Sequence, residues 1–110
     1  MSIFDQRGQR VRSQINVAAG FGSPDSVAEF VSRLQSLSDA VSGTSADEET
    51  RADAEHEIQQ AIVNASAGNG SRTRERLEKA RQFVETIAGA GNLVASITEA
   101  IHACARIIGG

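Results

Sequence analysis

The stretch from Arg72 to Ile108 does most to limit what this chain can fold into. Leu77, Ala80, Val84 and Ile87 recur at three- and four-residue steps. After Gly89-Ala90-Gly91, Leu93, Ile97, Ile101, Cys104 and Ile108 do the same. This spacing lines one face of a helix and predicts two amphipathic helices that fold onto one another. The expected spans are 72–88, capped by Ser71, and 92–108, capped by Asn92. One long helix over 72–108 is the alternative, because Ile87, Gly91, Val94, Ile101, Ala105 and Ile108 also share a face. Two glycines within three residues cost about 2 kcal/mol relative to alanine, which favours the break.

Two further helices are expected upstream. Val27, Phe30, Leu34, Leu37 and Val41 form a regular stripe, with Val31 beside it. Ser23 can cap this helix and Pro24 suits its first turn, so it should run over 24–42 and stop at Gly43. Ser45 and Glu48 then stand in capping-box spacing, and Asp47, Glu48 and Glu49 place negative charge where the helix dipole favours it. That helix is expected over 46–67, with a weak apolar face of Ala54, Ile58, Ala61, Ile62 and Ala65. Its front half is acidic, and a solvated face is the ordinary reading of such a run. Gly68-Asn69-Gly70 ends it. On the third helix, Arg72, Arg74, Arg76, Lys79 and Arg81 mix with Glu75, Glu78 and Glu85, and Glu75–Lys79 has the spacing of a supporting pair. The fold class expected is mainly α, an antiparallel bundle of about four helices joined by short loops.

A chain of 110 residues makes one domain with a modest core. Its 40 % apolar fraction includes four Phe and no Tyr or Trp, so much of it is Ala, Val and Ile. Small side chains bury less area, at about 25 cal/mol per Å². A thin core makes association with other chains a natural supplement.

Residues 1–22 read differently from the helical body at 23–110. Between Gln9 and Val17, Val11, Ser13, Ile15 and Val17 alternate with Arg10, Arg12, Gln14 and Asn16, the period of a strand with one apolar face. Gly20, Gly22 and Pro24 follow as a turn. No second strand is legible downstream. Unpaired strand edges leave N–H and C=O groups unsatisfied, so the strand needs a partner from another chain, or the stretch is disordered.

The residue types of catalysis are sparse. His56 lies in the acidic helix with no zinc-motif spacing around it. His102 and Cys104 are two apart, about 200° around a helix, so they cannot act jointly on one metal or one substrate. Cys104 fits the apolar stripe as a small buried side chain, while His102 joins Glu99 and Arg106 on a polar one. Gly20-Phe21-Gly22-Ser23 precedes a helix but matches no phosphate-binding pattern. No cofactor, metal or enzymatic reaction is expected.

A net charge of −3 disfavours nucleic acid as a partner. Arg7, Arg10 and Arg12 form a small basic patch that could touch phosphate or an acidic helix of another subunit. A single cysteine excludes an intrachain disulfide. The N-terminus has no apolar run resembling a secretory signal, and no window reaches a transmembrane span, so a cytoplasmic setting is expected.

Taken together, QRGQRVRSQINVAAG near the start and RTRERLEKARQFVETIAGAGNLVASITEAI near the end resemble small modules found beside effector and signalling-NTPase proteins in bacterial conflict and defence systems, often called effector-associated or adaptor domains. The resemblance covers most of the chain in layout. It implies homotypic association, no catalysis in the module itself, and an effector or signalling NTPase as a possible partner. No functional residue of such modules carries over position by position. The expectation is therefore a non-enzymatic assembly module, a homo-oligomer with Val11, Ile15, Val17, Leu93, Ile97, Ile101 and Ile108 as its interface residues. The alternative is a monomeric regulator that binds a protein effector through the acidic second helix.

Overall fold

The computed structural model describes Pro24 and residues 26–108. The described residues form four helices: α1 (Val27–Ser42), α2 (Glu48–Ser66), α3 (Gly70–Glu85) and α4 (Gly91–Ile107). There is no strand among the described residues, and the stretch Gln9–Val17 lies outside them. Each helix packs on its neighbours in sequence, and α1 meets α4 to close the ring.

The directions follow from the cross-helix bonds. The Cys104 thiol reaches the Gly70 carbonyl at 3.3 Å, while Arg81 donates to the Thr98 hydroxyl at 3.3 Å. Going up α3 thus means going down α4. Arg76 of α3 reaches back to Glu57 of α2 at 3.1 Å, and Gln59 of α2 reaches Ser38 of α1 at 3.2 Å. Every connection folds the chain back on itself.

The expected stripes form the core. Phe30, Leu34, Leu37 and Val41 of α1 are fully buried, as are Leu77, Ala80 and Val84 of α3 and Ile97 and Ala100 of α4. In α2 the buried positions are largely alanines, Ala54, Ala61 and Ala65, around Ile58 and Ile62. Without larger side chains between them, neighbouring helices can approach closely. The buried Thr73 hydroxyl is satisfied within its own helix, donating to the Asn69 carbonyl at 2.7 Å.

The helix ends differ from the sequence expectation in informative ways. Helix α1 starts three residues late: Ser26, not Ser23, is the N-cap, and its hydroxyl accepts from the Glu29 N–H at 3.2 Å. Ser26-Val27-Ala28-Glu29 is itself an S-x-x-E sequence, so the signal was present one turn further on. Asp47 replaces Ser45 as the N-cap of α2, with no side-chain cap bond. Asn69 replaces Ser71 at α3 and accepts from the Arg72 N–H at 3.1 Å. The preceding Gly68 adopts φ +80, the left-handed turn that leaves Asn69 in capping position. The break before α4 falls where expected. Gly89 takes φ +78 and ends the α3 connection, and α4 begins at Gly91 with Ala90, not Asn92, at its N-cap.

Candidate interaction surfaces

The seven residues singled out as an interface fall in three places. Val11, Ile15 and Val17 lie outside the described residues. Leu93, Ile97 and Ile101 are buried in the core, with relative exposures of 6 %, 0 % and 8 %. Ile108 is half-buried at the C-cap of α4, packed against the same core. Within one chain, the α4 stripe is thus occupied by its own bundle. The surface available to a partner has to be sought elsewhere.

The outer side of α2 is one such surface. Glu48, Glu49 and Asp53 are exposed, as is His56. Glu57 is different: only 13 % of its side chain is exposed, and Arg76 holds it at 3.1 Å. This pair joins α2 to α3 and is part of the fold. Arg51 also turns inward, donating to the Ala46 carbonyl at 2.8 Å and tying the α1–α2 connection to α2. The acidic residues that remain free to meet a partner are therefore those at the very start of α2.

The opposite sign gathers at the other end of the bundle. Arg72 and Arg74 at the start of α3 are exposed, and so is Arg106 near the end of α4. The Cys104–Gly70 bond places these two termini side by side. Reading the sequence put five basic residues on one outer face of α3. Two of them leave it: Arg76 pairs with Glu57, and Arg81 reaches Thr98 and lies 3.8 Å from Glu85.

One feature was not read from the sequence. Val63 is 59 % exposed, the one large apolar side chain so exposed among the described residues. The signal was available, because Val63 stands one residue past Ile62 and so about 100° away from the buried stripe.

The reactive side chains are arranged as the spacing implied. His102 is exposed and Cys104 buried, on opposite sides of α4. Burial pushes the Cys104 thiol above its ordinary value, partly countered by the nearby Arg74. A neutral buried thiol that donates to a backbone carbonyl is a poor nucleophile. Among the described residues no three His, Cys, Asp or Glu side chains converge as a metal site would need. An open hollow of about 270 Å³ lies between the two loops at one end, lined by Thr44, Ser45, Gly89 and Asn92 among others. A second, of about 260 Å³, lies over Ser42, Glu48, Arg51 and Glu55. Neither gathers the convergent buried polar groups of a small-molecule site. Among the described residues no helix is long and apolar enough to cross a membrane.

Compared with known proteins, the chain matches no family model, no curated protein and no solved structure.

Proposed function

We propose that this chain is a non-enzymatic assembly or adaptor module that self-associates through its N-terminal strand. One observation carries the reading. Every described element is a helix, so a strand over Gln9–Val17 would find no pairing partner among residues 26–108. Its ladder would be completed by a second chain or by a strand of a partner protein. The apolar face formed by Val11, Ile15 and Val17 would be covered in the same step. The layout resemblance to effector-associated modules points the same way, with an effector or signalling NTPase as the downstream partner and the cytoplasm as the setting.

The second reading is a monomeric regulator docking on a basic effector through the start of α2. The exposure of Glu48, Glu49 and Asp53 favours it. Light scattering behind a sizing column separates the two. In the assembly reading the full chain is a discrete oligomer at high salt, and there both removal of residues 1–19 and the pair Ile15→Asp with Val17→Asp reduce it to a helical monomer. A full chain that runs as a monomer at every concentration overturns the assembly reading and turns the search to the effector.

A further inference from the structure

The exposed ridge of α2 has a symmetry of its own, and Gln59 near its centre also donates to the Ser38 hydroxyl of α1. Glu49, Ala52, His56, Gln59, Val63 and Ser66 are all exposed and follow one another at steps of three and four, so they form a single outward line along the helix. Two copies of α2 laid antiparallel, centred between His56 and Gln59, bring Ala52 of each against Val63 of the other. The alanine leaves room for the valine, and the most exposed large apolar side chain among the described residues is covered twice per dimer. An antiparallel pairing about a two-fold axis is self-complementary in this way by construction.

The charges agree with the same arrangement. The start of α2 is acidic, through Glu48, Glu49 and Asp53. Arg76–Glu57 fixes α3 alongside α2 in the reverse direction, so Arg72 at the start of α3 stands beside the end of α2. The charged residues of α2 lie at its front, and none follows Glu57. Reversing one copy against the other therefore sets the acidic end of each against the basic end of its mate. A parallel pairing would set acid against acid. Opposed potentials of this kind select orientation and speed encounter more than they add affinity.

We propose that the outer ridge of α2, from Glu49 to Ser66, is a two-fold docking surface for a second copy of this chain, with Val63 over Ala52 and the acidic start of α2 facing Arg72 of the other copy. One helix ridge buries less than the about 1,200 Å² of a stable interface, so the contact is a weak one that multiplies another association. It lies wholly in the helical body and is independent of the strand.

A charge exchange tests it. Full-length chains carrying Ile15→Asp and Val17→Asp, which disable the strand, are compared at low and high salt by sedimentation equilibrium. The expected result is a weak dimer at low salt that dissociates at high salt. Glu48→Arg with Glu49→Arg and Asp53→Arg abolishes it, as does Arg72→Glu, while circular dichroism shows both variants folded. Mixed one to one, the two variants pair again, because each now supplies at both ends the charge the other lacks. Val63→Asp weakens the dimer by tenfold or more without loss of helicity. Failure of the mixture to pair, unchanged dimerisation in either charge variant, or open-ended growth with concentration overturns the two-fold surface. Absence of any salt-sensitive dimer does so too. None of these outcomes bears on the strand, which is read separately from the full chain before its substitution.

Discussion

Helix α1 buries large side chains; α2 buries mostly small ones and is acidic over its front half. Phe30, Leu34, Leu37 and Val41 fill the interior from α1, and Leu93, Ile97 and Ile101 from α4. On α2, Ala54, Ala61 and Ala65 occupy equivalent positions, and an ion pair, Glu57–Arg76, crosses to α3. Helix α1 is held by the volume of its side chains, α2 by close approach. The difference indicates where a partner can be met. The most apolar helix, α4, has its stripe in the core, whereas weakly apolar α2 leaves an ordered outer ridge and Val63 at the surface.

The comparison breaks most readily at the large side chains. Leu34→Ala empties a fully buried site and should lower stability by about 2–5 kcal/mol, read as a falling midpoint in urea. Ala61→Leu probes α2 in the opposite sense. If α2 packs on its neighbours through small residues, the added methylenes should cost about 1–3 kcal/mol. A neutral or stabilising Ala61→Leu would mean that the alanine face has room, and the contrast between α1 and α2 would fail.

Much of this contrast was legible beforehand. The stripe Phe30–Leu34–Leu37–Val41 and its counterpart Leu93–Ile97–Ile101 repeat cleanly, because each residue that must reach the core recurs once per turn. The break at Gly89 was legible as well, since two nearby glycines disfavour a continuous helix. Capping residues were less so. Ser23, Ser26, Ser45, Asp47, Asn69, Ser71 and Asn92 can all accept from a free N–H, and the choice among them depends on backbone direction set by distant packing. The surface of α2 was legible only in part. Its acidity is plain in the sequence, but the withdrawal of Glu57 into an ion pair depends on Arg76 arriving from another helix.

Two smaller effects sharpen the contrast. Arg76→Ala removes the cross-helix partner of Glu57, leaving a carboxylate only 13 % exposed without its cation. A loss of about 1–2 kcal/mol is expected, and Glu57→Gln in the same background should recover part of it by removing the stranded charge. Gly89→Ala should cost about 1–2 kcal/mol, because alanine is strained at φ +78 even though a Cβ there would meet no neighbour within 4 Å. The penalty is local to the α3–α4 connection and should appear in thermal unfolding without altering the ridge of α2.

The smallest pH-linked effect near neutrality comes from Cys104, where α4 touches α3 through the bond to Gly70. Burial holds its thiol above the ordinary value of 9.0, so the folded chain keeps a proton that the unfolded chain releases first. The sign is fixed by that order. Below about pH 9 both states hold the proton and stability owes nothing to it. Above that the unfolded state binds fewer protons, and stability falls by at most about 1.4 kcal/mol per pH unit until the folded thiol also ionises. Cys104→Ala should flatten this alkaline decline in urea midpoints measured from pH 8 to 10. It should also lower stability at every pH, because the alanine loses the sulfur's packing. An unchanged decline would assign it to other groups and leave the seam between α3 and α4 without a titrating member.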